Sequence, residues 1–332
     1  MEGSFISSSE QRVAVVTGGN KGIGLDICRQ LASNGITVIL TARDENRGAA
    51  AVDALRELGL SDVMFHQLDV SEPSSAARLA DFVRNKFGKL DILVNNAAIL
   101  GVTVDIGDPD PAAIQQVVAS EKFTSMSAIE RLEWVDQRTT ETYAEAEECL
   151  RTNYGGTKNV TEALLPLLLA SSDARIINIS SFVALLRLFS GEELKQEFND
   201  IDKLSFERVD ELSELFLDDF KNGQLANRGW PVEKGPSAYS VSKALMNAYT
   251  RVLAKKHTSL RINCVNPGHV NTDGNFRTGD LTVAEGARGA VALALAPKEG
   301  PTGAYFDGTE EASFASGVPR TRNNIEPCIL GI

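Results

Sequence analysis

Tyr239 and Lys243 stand four residues apart in the stretch Ser-Ala-Tyr-Ser-Val-Ser-Lys at 237–243. On a helix that spacing puts both side chains on one face. An ammonium beside a phenol favours the phenolate and lowers the tyrosine pKa from its usual ~10. A tyrosine so placed can act as an acid near neutral pH. Tyr154 and Lys158 share the spacing, so the pair alone decides nothing. Tyr239 is distinguished by its context: a glycine-rich turn far upstream, the Ser180-Ser181 pair before it and the turn Asn266-Pro267-Gly268 after it. Either pair taken alone reads as a solvated helix face.

Short buried-strand patterns alternate with helical ones along the chain. The apolar, β-branched run at 13–17 reads as a strand, as do 37–42, 63–70, 91–95, 175–180 and 261–265, with a weaker seventh at 304–307. Helical patterns fill most gaps; one closes at Asn34-Gly35 and another opens at Ser71 with Pro73 in its first turn. Continuous apolar strands separated by helices imply an α/β fold: a doubly wound parallel sheet of about seven strands, covered on both faces. The whole of 1–332 reads as one domain. Two long segments interrupt the alternation, 99–148 as a flap and 187–234 as a helical insertion before the Tyr-Lys motif. Long segments of this kind in compact domains are usually functional. The end of the chain, 316–332, lacks periodicity and reads as loosely ordered.

The first strand runs into Thr17-Gly-Gly-Asn-Lys-Gly-Ile-Gly24, which opens the first helix. Glycines at such a junction let the backbone approach a pyrophosphate, and the helix N-terminus offers it free N–H groups. An acid after strand 2 would bond the ribose 2′-OH of NAD. Here Arg43 stands in that place, Arg47 follows one turn later and Lys21 lies in the glycine loop. These cations suit a 2′-phosphate, so NADP(H) is the expected cofactor. Asp44 would shift the balance if the strand ends one residue later. Asp69, at the end of strand 3, fits two roles: accepting from the adenine amino group, or helping to cap the helix at Ser71.

Composition narrows the class. Hydrophobic residues make up 43% of the 332, enough for a sizeable core, and the 33 basic and 45 acidic residues leave a net charge of −12. That balance argues against a nucleic-acid or anionic-membrane partner. Cys28, Cys149, Cys264 and Cys328 are far apart and form no CxxC pair, which reads as reduced thiols. The N-terminal residues lack a basic start followed by an apolar run, and the longest apolar stretch, near 163–170, is interrupted by Pro166. A cytoplasmic protein is expected. His66, His257 and His269 lie on separate elements with no accompanying acids, so no metal site is expected.

Taken in order, the glycine loop, Asn95-Asn-Ala-Ala98, Asn153, Ile179-Ser-Ser181, Tyr239-x-x-x-Lys243 and Asn266-Pro-Gly268 resemble the short-chain dehydrogenase/reductase family, from about Arg12 to Phe314. Ser181 and Tyr239 are 58 residues apart, a wide gap similar to that of the monomeric carbonyl-reductase subgroup. The block 141–150, Trp230-Pro231 and Gly300-Pro-Thr-Gly303 resemble plant members that reduce terpenoid or alkaloid ketones. The family block usually ends in glycine where this chain has Ala98. Strand alternation leaves Ser180 or Ser181 as the active serine, and the family pattern favours Ser181.

The resemblance implies a Rossmann-type fold and an NADP(H)-dependent ketone reductase. Tyr239 would donate the proton, Lys243 would bond the nicotinamide ribose, Ser181 would hold the substrate oxygen, and Asn153 would hold a water that relays protons from Lys243. The dinucleotide would lie along Gly18, Asn20, Lys21, Gly22, Ile23, Gly24, Arg43, Arg47, Asp69, Val70, Asn95, Ala97, Pro267, Gly268, Val270 and Thr272, as well as Tyr239 and Lys243. The expected partner is a small-molecule carbonyl compound. Generic aldehydes and quinones, the reverse alcohol oxidation, and a non-catalytic NADPH-sensing scaffold are the alternatives. The apolar positions of 187–234 suggest helices that cover the helix flank used elsewhere for dimerisation, so a monomer is expected.

Overall fold

Ten strands and thirteen α-helices occur among the described residues of the computed structural model, which are 11–107, 113–233 and 235–317. The first ten residues and the tail from 318, with Cys328, lie outside them; the sequence readings of the N-terminus and of the tail's order therefore fall largely there. The strands are β1 Val13–Val16, β2 Thr37–Ala42, β3 Val63–Gln67, β4 Ile92–Asn95, β5 Thr103–Val104, β6 Thr139–Thr140, β7 Arg175–Ile179, β8 Arg261–Asn266, β9 Tyr305–Asp307 and β10 Glu310–Ala312. The helices that matter most to the site are α1 Gly22–Ser33, α2 Glu45–Glu57, α3 Pro73–Phe87, α7 Tyr143–Leu150, α8 Gly156–Leu169, α10 Phe206–Lys221, α12 Ser237–Lys256 and α13 Val283–Leu295. Between them, α4 Ala113–Ala119, α5 Glu121–Thr124 and α6 Ala128–Asp136 lie in the first insertion, and α9 Glu192–Asn199 and α11 Leu225–Arg228 in the second.

The main sheet has the order β10-β9-β8-β7-β4-β1-β2-β3. Its first seven strands in the chain are all parallel, as continuous β-branched runs require when both faces are covered. Alternate residues serve opposite faces. Val13, Val15, Leu93, Ile176 and Ile262 pack with α3, α8 and α12, while Ala14, Val16, Val94, Ile177 and Val265 pack with α1, α2 and α13. The eighth strand, β10, pairs antiparallel with β9 across Gly308, an addition to the expected seven. Strand β3 stops at Gln67 rather than Val70, because the chain turns away at Asp69. The next helix starts at Pro73, two residues after Ser71, with Glu72 as N-cap. The chain winds outward in both directions from the β1/β4 boundary, which puts a crevice at the carboxyl ends of those strands.

Each long segment has structure of its own. In the first, β5 and β6 pair antiparallel around α4–α6, and Phe123 meets Trp134 edge-on at 5.4 Å. In the second, α10 lies against α12 and α7. Leu194, Phe198, Leu204, Leu212 and Phe216 are buried, and Phe189, Phe198 and Phe216 surround the fully buried Trp230. The Trp230 indole donates to Asp219 at 2.8 Å.

Candidate active site

Thr17, just past β1, organises the glycine loop. Its hydroxyl accepts from the main-chain N–H groups of Asn96 and Ala97, both at 2.9 Å. The Asn96 amide donates back to the carbonyls of Thr17 and Gly18. Sequence reasoning named Asn95 and Ala97 but passed over Thr17 and Asn96, whose signal was the doubled asparagine. Asn95 itself turns inward, donating to Thr161 and Asn178.

The loop is built for close approach. Gly18 has φ +63°, and a Cβ there would press on the Ala97 backbone, 3.0 Å away. A Cβ on Gly24 would collide with the Gly18 carbonyl and the Asn96 amide. The Lys21 side chain, ahead of α1, caps none of that helix's N–H groups, and its first turn holds no acid. Asn20 and Ile23 are half-buried on the same loop, and Thr272 stands over Gly22. Open N–H groups at a helix N-terminus beside side-chain-free backbone suit a pyrophosphate. Beyond the β1–α1 turn, Pro267 and Gly268 are half-buried after β8, and Val270 is buried, bridged to Leu281.

Strand β2 ends at Ala42, so Arg43 is the first residue past it, with its side chain exposed. Asp44 is committed elsewhere: it caps α2 through the Arg47 N–H at 2.8 Å and pairs with the Arg47 guanidinium at 3.2 Å. Arg47 is thereby tied to Asp44. Asp69 accepts from both the Ser71 N–H and the Ser71 hydroxyl, the local turn of its two possible roles, and Val70 is buried beside it.

Ser181, Tyr239 and Lys243 meet at the end of β7 and the start of α12. Ser180 is turned into α12, donating to Asn247 at 2.7 Å, which leaves Ser181 as the serine that acts on the Tyr239 phenol; its hydroxyl accepts from Val183 N–H at 3.4 Å. The Lys243 ammonium lies 5.7 Å from the Tyr239 ring centre and donates to the Ile179 carbonyl at 2.7 Å. The expected lowering of the tyrosine pKa is not a property of the protein alone. Burial pushes the Tyr239 phenol up to about 12, the Cys149 thiol adds to this, and Ser181 draws it only partly back. Burial likewise brings Lys243 down to about 8. Desolvation, not the lysine, sets the direction for Tyr239 here.

Asn153 lies fully buried in a π-helical turn, Arg151–Gly155. Its side chain accepts from Ile99 N–H and donates to Ile99 C=O, both at 2.9 Å, and it donates to the Ser242 hydroxyl at 3.0 Å. Ile99 is thus pinned where the first insertion leaves the site. Ala98, in the place of the family's usual glycine, is exposed. Lys158, expected at the surface, is paired with Asp210 of α10. His269 meets Thr278 at 3.1 Å in the loop after β8.

Comparison with known proteins agrees with this geometry. Residues 12–132 match the profile of the short chain dehydrogenase family. The chain is 49% identical to short-chain dehydrogenase/reductase 1 of Saponaria officinalis, over 94% of this chain and 98% of that protein. It is 48% identical to (+)-neomenthol dehydrogenase of Arabidopsis thaliana, over 91% of this chain and 98% of that one. The solved structure of salutaridine reductase from Papaver somniferum superposes with a TM-score of 0.79 at 46% identity, covering 90% of this chain and 99% of that one.

Proposed function

The chain belongs to the short-chain dehydrogenase family, and from that premise we propose that it uses NADPH to reduce the carbonyl of a lipophilic cyclic ketone, terpenoid or alkaloid in class. The observation that carries this reading is the convergence of Ser181, Tyr239 and Lys243 at the carboxyl end of β7, in the same sheet whose β1 runs into the glycine loop. Relatives named for salutaridine and neomenthol support the substrate class.

NADPH, when bound, supplies a hydride. The residues do the rest. Backbone N–H groups of the Gly18–Gly24 loop hold the pyrophosphate, and the exposed Arg43, with Lys21, holds the 2′-phosphate. Ser181 and Tyr239 offer hydroxyls to the carbonyl oxygen, and Tyr239 gives its proton to that oxygen. At neutral pH the phenol holds the proton that it gives to the carbonyl oxygen. Lys243 bonds the nicotinamide ribose and supplies the positive charge nearest the phenol, with a water beside Asn153 as its link to solvent.

In the same reading, segment 99–148 is a flap over the reacting centre, and α10, lying along α12, keeps the chain monomeric. No helix among the described residues is long and apolar enough to cross a membrane, and the three described cysteines are buried free thiols. Both fit the cytoplasm, which cell fractionation would check.

The test is oxidation of NADPH and NADH with menthone-like ketones, alkaloid-like ketones, simple aldehydes and quinones, for the native chain and Tyr239→Phe. NADPH-linked turnover of the cyclic ketones is expected, falling by orders of magnitude in Tyr239→Phe with NADPH binding kept. Equal turnover of aldehydes and quinones would mark a broad carbonyl reductase instead. Near-native turnover in Tyr239→Phe would remove the tyrosine from the mechanism.

A further inference from the structure

Helix α12 carries Tyr239 in its first turn, yet it has no cap of its own. Its N-cap is Pro236, which has no polar side chain, and the first turn holds no acidic residue. The first N–H groups of any helix lack partners within the helix. Here Glu141 supplies them from almost a hundred residues away. One of its carboxylate oxygens accepts from Ser237 N–H at 3.1 Å and the other from Ala238 N–H at 2.8 Å. Ala238 immediately precedes Tyr239.

Glu141 is also placed at a junction. It follows β6 and precedes Thr142, the N-cap of α7. The chain enters the first insertion at Ile99, gripped by Asn153, and its excursion through β5, α4–α6 and β6 closes at Glu141, gripped by α12. Asn153 is joined in turn to Ser242, whose hydroxyl donates to the Tyr239 carbonyl at 2.8 Å. Both ends of the insertion therefore bear on the turn that carries Tyr239. Two N–H donors, one on each oxygen, are matched by an acceptor-only carboxylate. A negative charge at a helix N-terminus is favoured as well.

We propose that Glu141 is a positioning residue for Tyr239: it caps α12 from outside and fixes the phenol relative to Ser181, coupling the flap to the proton donor. The proposal rests on the reading that Tyr239 donates the proton. Glu141→Gln presents an amide N–H to a donor that needs an acceptor, and Glu141→Ala removes both acceptors. A small displacement of a reacting group lowers rate rather than cofactor affinity.

The experiment measures kcat, KM for ketone and NADPH affinity in Glu141→Gln, Glu141→Ala and the double variant Glu141→Ala with Pro236→Asp, which returns a cap from within the helix. Expected are a kcat lowered about tenfold in Glu141→Gln and further in Glu141→Ala, NADPH affinity within about twofold of native, and recovery of most of the loss in the double variant. A native kcat in Glu141→Gln, measured on protein folded at the assay temperature, overturns the proposal. So does a kcat loss that the internal cap fails to restore while it does restore the melting temperature. The proton-donor reading fails separately, through a native kcat in Tyr239→Phe.

Discussion

Tyr154 donates its hydroxyl to Asp210 Oδ1 at 2.6 Å, and Lys158 pairs with the other oxygen of the same carboxylate. The second Tyr-x-x-x-Lys pair of the chain thus fastens α8 to α10. Tyr154 is buried, and both burial and Asp210 hold its pKa well above the usual phenol value. Asp210→Ala leaves that buried hydroxyl without its acceptor, a loss of about 1–3 kcal/mol. The melting temperature should fall by several degrees, with turnover below the transition nearly kept. An unchanged melting temperature would show that the contact does not anchor the insertion.

Lys243 links stability to pH. Burial lowers its pKa to about 8 in the folded protein, from 10.5 in the unfolded chain. Between those values the unfolded chain holds more protons, so stability rises with pH across the window, and the burial penalty is fully present below pH 8. Lys243→Met removes this dependence together with the bond to the Ile179 carbonyl. The stability of Lys243→Met relative to native, in the absence of cofactor, should therefore be more favourable at pH 7 than at pH 10 by roughly 2 kcal/mol. Equal differences at the two pH values would contradict the depressed lysine.

Arg43 is expected to read the 2′-phosphate, since Asp44 is occupied at the start of α2. Arg43→Ala should raise the KM for NADPH about ten- to a hundredfold, a charged pair being worth roughly 1.5–3 kcal/mol, with little change for NADH. Equal effects on the two cofactors would assign the recognition elsewhere.

The flap reading predicts a selective defect. Arg131 of α6 donates to the Arg277 carbonyl at 2.7 Å, so the insertion leans on the loop that follows β8. Replacing 101–140 by a short Gly-Ser link should raise KM for bulky ketones, with small-aldehyde reduction and NADPH affinity largely kept. An unchanged substrate profile in the folded variant would make the segment a fixed outer subdomain.

The monomer reading is checked by sedimentation at micromolar concentration. A single species near 35.8 kDa is expected. A species of twice that mass would mean that α10 leaves a pairing surface open.

The parallel strands and the glycine loop were legible because their signals are local. A strand buried on both faces is mostly apolar and β-branched, as Val13–Val16 is throughout and Val38–Leu40 and Ile176–Ile177 are at the centres of their strands, and a close backbone approach favours glycine. Strand β10, Glu-Glu-Ala, carries no such run; its only local signal was the Asp307-Gly308 turn. Lys158 looked like a surface residue because its partner lies 52 positions away. Glu141 was invisible as a cap for the same reason, since a helix is ordinarily capped by its own neighbours. The pKa of Tyr239 was misjudged because spacing shows the lysine but not the depth of burial, and depth decides.

The main sheet ends on β10, three residues long, carrying Glu310 and Glu311. A bare sheet edge is a template on which another chain can add a strand. Among the described residues β10 offers only three residues of ladder, with Glu310 exposed on it, on a molecule whose net charge is −12. That terminus thus helps to keep neighbouring copies apart in a crowded solution. A longer apolar β10 is where aggregation would be expected to begin.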